Sequence, residues 1–306
     1  MTTLVFGHKS PDTDSTGSAI VWAWFLAHHV PGAAEARVLG TPNTEAQFVL
    51  KRWGFATPPL LTDLAPGTPV VIVDTNNPAE LPAGINHADI VAIIDHHKLV
   101  GGLETAGPIE ITIRPLACTA TLMYQLMGGH AGHAPEGIRG LMLSCILSDT
   151  LAFRSPTTTP VDRQIAERLA ADLGVDIPGY AAEMFAAKSD VSAFSDVELL
   201  RMDSKQYTVD GMDLRVSVLE TTAPGTILAR KDSLMRSMVD VAREDGADQV
   251  LLFVIDILRE EATMLIPNAL TRTMAEKSFG AVVTGDTVLL PGMLSRKKQI
   301  IPMLKV

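Results

Sequence analysis

The stretch "FGHKSPDTDST", Phe6–Thr16, places one imidazole and two carboxylates, His8, Asp12 and Asp14, within seven residues. It follows the apolar run Leu4-Val5-Phe6 and precedes the amphipathic "GSAIVWAWFLAHH", so it reads as the loop between a strand and a helix over residues 17–29. Two more apolar runs end in the same way. "PVVIVDT" closes on Asp74, and "IVAIIDHH" closes on Asp95, His96 and His97. Their continuous Val/Ile character predicts parallel strands buried on both faces. The segments "CTATLMYQLM", "GIRGLMLSCILSDT" and "TPVDRQIAERLAADLG" read as helices, the last stopped by Gly174, and the second carries Asp149 at its end. This alternation predicts an α/β fold with an open parallel sheet. Ligands of such sheets collect beyond the carboxyl ends of the strands, so Asp and His from four separate elements are expected at one edge.

Oxygen and imidazole donors without a thiolate suit Mn²⁺, Co²⁺ or Mg²⁺ better than a structural zinc. Taken singly, each carboxylate has a plainer reading. Asp14 is compatible with an N-cap of the helix that follows, and Asp95-His96-His97 with a polar turn. The recurrence at equivalent strand ends favours a shared metal site.

After "AAKSDVSAFSDVE" the pattern changes. "LRVSVLETT", "QVLLFVIDIL" and "ATMLIP" read as strands and "RKDSLMRSMVDVAREDG" as a helix, which predicts a second, smaller mixed α/β domain. The divisions are residues 1–188, a linker or hinge at 189–195, and 196–306. A rigid helical connection at 189–195 is the alternative reading of the sequence, nearly as well supported. The net charge of −10 argues against a nucleic-acid partner, which needs a basic footprint. It leaves anionic substrates open, because bound cations invert the charge of a local site. Cys118 and Cys145 lie in apolar stretches and read as buried, inert thiols of a reducing, cytoplasmic compartment. No apolar run is long enough to span a membrane, and "MTTLVFGHKS" lacks the features of a secretory leader.

"GHKSPDTDS" followed by "DHH" at Asp95–His97 resembles the DHH phosphoesterase superfamily. Within it, "PNTEAQFVLKRWG", "VDTNNP", "IIDHHK", "ACTAT", "LSDTLAFRSPTTTPVD" and "SRKKQIIP" are similar, in order and spacing, to family II inorganic pyrophosphatases, the manganese-dependent type. The resemblance spans essentially the whole chain. It implies a DHH domain followed by a DHHA2-like domain, with the active site in a cleft between them. It implies His8, Asp12, Asp14, Asp74, His96 and Asp149 as ligands of two Mn²⁺ or Co²⁺ ions per subunit. His8 and Asp12 would serve one ion, Asp14, His96 and Asp149 the other, and Asp74 both. Asp95 would fix either a histidine tautomer or a backbone turn; the sequence leaves both open.

The implied reaction is hydrolysis of pyrophosphate to two phosphates by a hydroxide shared between the metals, with additional Mg²⁺ arriving on the substrate. His97, Lys205, Ser295, Arg296 and Lys297 are the candidates for holding and neutralising it. The plain alternatives are a solvated charge run for "SRKKQ" and a surface lysine for Lys205. Superfamily relatives acting on nucleotides or single strands carry a "GGGH"-like loop in their second half, and none is present here. A non-catalytic metal or phosphate sensor is the remaining alternative, and the complete ligand and basic sets count against it. The resemblance further implies a homodimer formed through the first domain.

Overall fold

The computed structural model describes residues 1–306 as two compact units, Met1–Lys188 and Ser189–Val306. The first unit runs β1 (Thr3–Phe6), α1 (Thr13–His29), β2 (Ala34–Ala36), α2 (Thr44–Arg52), β3 (Pro69–Val73), β4 (Asp89–Asp95), β5 (Glu110–Ile113), α3 (Thr119–Met127), α4 (Glu136–Asp149), α5 (Pro160–Leu173) and α6 (Ile177–Lys188). Its five strands are all parallel, in the order β2-β1-β3-β4-β5.

The continuous apolar runs are explained by what covers each face. Val5, Val71, Val73 and Ile94 point into a core shared with α1, α3 and α4. Their neighbours Phe6, Val70, Ile72 and Ile93 point the other way, into a second core closed by Leu81, Ile85 and Ile90. Both faces are therefore dry along β3 and at the carboxyl ends of β1 and β4, and each fully buried Val, Ile or Phe contributes on the order of 1.5–3 kcal/mol.

The connection from β1 to α1 is tight. A Cβ on Gly7 would lie 2.1 Å from Ser15 Oγ and 3.1 Å from the Val73 carbonyl, so only glycine lets the chain turn here. The helix starts at Thr13, four residues before the expected boundary. Asp12, and not Asp14, is its N-cap: Asp12 Oδ1 accepts from the Ser15 amide at 2.9 Å. Asp14 sits in the first turn and is buried. At the far end of the unit, α5 opens with a capping box between Thr159 and Asp162 and stops at Gly174, whose φ of 65° is the left-handed cap.

Residues 189–195 are not helical; Ser195 then caps α7 (Asp196–Met202) through a capping box with Glu198. The second unit continues with β6 (Ser204–Val209), β7 (Met212–Thr221), α8 (Pro224–Leu228), α9 (Lys231–Asp245), β8 (Gln249–Asp256), β9 (Glu261–Leu265), α10 (Ala269–Phe279), β10 (Thr287–Pro291), a π-helical turn at Arg296–Ile300 and α11 (Ile301–Met303). Its sheet, β10-β9-β8-β7-β6, is mixed: β7 and β8 are parallel, and the other pairs are antiparallel. Strand β8 is buried along its whole length, with Leu251, Phe253 and Ile255 on one core and Val250, Leu252 and Val254 on the other. The expected α/β architecture, a parallel sheet first and a smaller mixed domain after it, is what the chain forms. No helix is long and apolar enough to cross a membrane.

Candidate metal centre

Beyond the carboxyl ends of β1, β3 and β4, three overlapping groups of donors gather, each with its ligand atoms within 4.8 Å of one another: His8-Asp12-Asp74, Asp14-His96-Asp149 and Asp74-His96-His97. Asp74 sits at the centre. Its Oδ2 is 3.4 Å from His8 Nε2, and its Oδ1 is 3.4 Å from His96 Nε2. Asp12 Oδ2 lies 3.7 Å from His8 Nε2, while Asp14 Oδ2 and Asp149 Oδ2 lie 4.0 and 3.9 Å from His96 Nε2. One carboxylate thus separates two donor sets, one around His8 and one around His96.

The backbone works to hold this arrangement. Asp74 is 2% exposed and adopts φ 59°, a left-handed conformation that a non-glycine residue adopts at a cost of about 1–3 kcal/mol. Thr119 Oγ1 donates to Asp74 Oδ1 at 3.0 Å. Asp14 is met by the free amides that open α3: Thr119 N donates to Oδ2 at 2.7 Å and Ala120 N to Oδ1 at 3.3 Å, with Ser18 Oγ adding a bond at 2.7 Å. A helix N-terminus supplies unpaired donors and positive potential, so a carboxylate is stabilised there before any cation binds. His96 Nδ1 faces the Leu116 carbonyl at 3.1 Å, which directs Nε2 toward the carboxylates.

Asp95 serves both of the roles that the sequence left open. Its Oδ1 accepts from the amides of His96 at 2.8 Å and His97 at 3.0 Å, and it faces His97 Nδ1 at 2.9 Å. Asn76 Nδ2 donates to the other oxygen. The turn and the His97 ring are therefore set by the same buried carboxylate, and Nε2 of His97 is directed away from it.

The electrostatics are those of a site built for cations. Burial alone would lower His8 and His96, but hydrogen bonds to Asp74 and the surrounding carboxylate charges overcome it and lift each from 6.5 to about 9. Burial pushes the carboxyls of Asp14 and Asp149 up, reinforced by the negative charges around them. The bond to Asp95 raises His97, whereas burial raises Asp95 less than its bonds to His97 and Asn76 lower it. Carboxylates crowded this closely must share protons or bind cations. Four Asp and two His, with no thiol among them, fit hard or borderline divalent ions. Cys118 and Cys145 are fully buried, and burial raises both thiols well above their ordinary range, as befits inert core residues.

The cluster opens into a pocket of about 210 Å³ lined by Asp12, Asp74, His96, His97 and Asp149. A larger cavity of about 520 Å³ adjoins His8 and His97 and is edged by Lys9, Asn76, Glu80 and Lys98. Reading the sequence did not single out Lys9 or Lys98. Each lies inside a recognised motif, "GHKSPDTDS" or "IIDHHK", which is the signal that could have found them.

The basic candidates lie in the second unit. Ser295 caps the Arg296–Ile300 turn, accepting from the Lys298 amide at 3.3 Å. Arg296 reaches back to Asp203: Nη1 donates to its carbonyl at 2.8 Å, and Nη2 lies 2.7 Å from its carboxylate. That contact brings the turn carrying Ser295, Arg296 and Lys297 beside the start of β6, where Lys205 stands exposed. Lys297 is exposed as well.

Residues 2–148 match the DHH family N-terminal domain, and residues 182–306 match the DHHA2 domain. A probable manganese-dependent inorganic pyrophosphatase of Deinococcus radiodurans is 40% identical over 306 residues, covering 98% of this chain and 97% of the relative. One from Lactobacillus helveticus is 34% identical over 301 residues, covering 98% and 96%. Among solved structures, a Methanococcus jannaschii protein described as a family II inorganic pyrophosphatase is 33% identical, with a TM-score of 0.62 and coverage of 98% and 97%. The chain belongs to the family of manganese-dependent inorganic pyrophosphatases.

Proposed function

We propose that this chain hydrolyses inorganic pyrophosphate to two phosphates, using His8, Asp12, Asp14, Asp74, His96 and Asp149 to hold two Mn²⁺ or Co²⁺ ions. The observation that carries the reading is Asp74, whose two oxygens face His8 and His96 at 3.4 Å each. Bound there, two divalent cations would lower the pKa of a water between them and make hydroxide available near neutral pH.

The chain's own groups then have three tasks. The carboxylates of Asp12, Asp14, Asp74 and Asp149 balance cationic charge in a half-buried pocket. His97, its Nδ1 engaged by Asp95, offers Nε2 to the departing phosphate as a hydrogen-bond or proton donor. Lys205, Ser295, Arg296 and Lys297 meet the charge of the substrate, which Mg²⁺ would accompany. Arg296 suits this because its planar fork can bind two phosphate oxygens at once. Its contact with Asp203 uses Nη1 and Nη2 and holds the guanidinium in place. In this reading both units contribute to one reaction, and 189–195 serves as the hinge. The proposal extends to a homodimer formed through the first unit and to a cytoplasmic, reducing location, the latter in keeping with two buried free thiols.

Phosphate release from pyrophosphate, measured against a panel of nucleotides and phosphodiesters, tests the proposal. Rapid release from pyrophosphate alone is expected. Preferential cleavage of a phosphodiester, or metal binding with no hydrolysis, would overturn it.

A further inference from the structure

Glu45 lies in the first turn of α2 and is completely buried. One of its oxygens, Oε2, accepts from Thr13 Oγ1 at 3.0 Å and from Ser148 Oγ at 2.7 Å, and lies 3.3 Å from Lys188 Nζ. The other, Oε1, is buried with no hydrogen-bond partner. A buried carboxylate is costly unless paired, and one with an orphaned oxygen is costlier still. Packing alone gives no reason for it, since an apolar side chain would fill the same space more favourably.

The neighbours of its partners supply the reason. Thr13 stands between Asp12 and Asp14, and Ser148 immediately precedes Asp149. A single carboxylate oxygen therefore joins the first turn of α1 to the last turn of α4, the two helix ends that carry three of the candidate ligands. Asp14 is held separately by Ser18, Thr119 and Ala120, so the clamp bears chiefly on Asp149. Lys188, the last residue of α6 and of the first unit, provides the countercharge.

We propose that Glu45 is a positioning residue of the metal centre: through Thr13 and Ser148 it fixes the spacing between Asp149 and the ligands of the α1 loop. The inference rests on the two-cation reading above. Groups that orient metal ligands from behind typically change metal affinity by about 10–100-fold when removed.

The test is Mn²⁺ binding to the full chain, by calorimetry and by electron paramagnetic resonance of the spin-coupled ion pair. Wild type would be compared with Glu45→Ala, Glu45→Gln and Ser148→Ala. Glu45→Ala is expected to weaken Mn²⁺ binding about 10–100-fold and to alter the coupling signal. Glu45→Gln keeps a carbonyl acceptor for both hydroxyls and should recover most of the affinity. Ser148→Ala should weaken one of the two ions and spare the other, a split that general loosening of the fold would not produce. Should Glu45→Ala fail to fold, as judged by circular dichroism, Ser148→Ala carries the test alone. Wild-type affinity and coupling in Ser148→Ala, or in a folded Glu45→Ala, would overturn the proposal. Phosphate release by the wild type separates the two readings. If it hydrolyses pyrophosphate while the variants bind Mn²⁺ normally, only the role of Glu45 falls. If it does not hydrolyse pyrophosphate while Glu45→Ala loses Mn²⁺, only the proposed activity falls.

Discussion

His8 and His96 approach opposite oxygens of the same Asp74 carboxylate, each at 3.4 Å. The two imidazoles come from different strand ends, and the residue whose carboxylate they share is held in a left-handed backbone conformation with its side chain bonded by Thr119. A strained, buried carboxylate that faces two donor sets is the feature on which the proposed two-cation centre depends.

Asp74→Asn should therefore weaken both Mn²⁺ sites together, because the amide presents one oxygen and no charge. Asp12→Asn should weaken mainly the site that includes His8. Calorimetric titration with Mn²⁺ distinguishes the patterns. Two ions bound by Asp74→Asn at wild-type affinity would remove the bridging role.

The benefit of Mn²⁺ to stability should grow with pH. In the metal-free protein His8 and His96 are raised from 6.5 to about 9, so they bind protons more tightly folded than unfolded. Their contribution is complete below pH 6.5 and is lost as pH climbs through about 9. The raised carboxyls of Asp14 and Asp149 act in the same direction above the ordinary carboxylate range. Mn²⁺ takes the place of these protons, so it competes better as they leave. Thermal melts with and without Mn²⁺ at pH 6.5, 7.5 and 8.5 should show a widening difference in Tm. A difference that narrows with pH would contradict the assignment.

Arg296→Ala should leave Mn²⁺ affinity unchanged and lower kcat/KM for pyrophosphate by about 100-fold or more, the scale of losing one fixed donor to developing charge. It also removes the countercharge of Asp203, whose carboxylate then repels an anionic substrate. Steady-state kinetics and metal titration on one preparation read both quantities. Unchanged kinetics would remove Arg296 from the substrate site.

Gly17→Ala should destabilise the first unit by about 1–3 kcal/mol, the usual range for overpacking. Its Cβ would lie 2.4 Å from Cys145 Sγ, where α1 and α4 touch, and Cys145 already donates to the Thr13 carbonyl at 3.3 Å. Chemical denaturation checks this. A neutral result would mean that the α1–α4 contact yields without cost.

The strands that bury both faces were legible because dryness on both sides leaves an unbroken apolar run: β3, β8 and the second half of β4 are of this kind. Strand β2, three residues long, and β5, whose Glu110 and Ile111 are exposed, carry no such run and were missed. The candidate donors of the metal cluster were legible because each lies at the start or end of a recognisable element. The groups that hold them were not. Thr119 and Glu45 read locally as helix-opening residues, and only the fold brings them beside Asp74 and Ser148. Asp12 hid its cap behind its candidate metal role, since a helix cap and a metal donor have the same local signature.

The most direct test of the account is phosphate release from pyrophosphate by chelator-stripped protein reconstituted with Mn²⁺, Co²⁺ or Mg²⁺ as the sole added metal. Ligands of four aspartates and two histidines around a shared carboxylate predict strong activity with Mn²⁺ or Co²⁺ and much weaker activity with Mg²⁺ alone. Full activity with Mg²⁺ as the only metal, or no hydrolysis with any of the three, would contradict it.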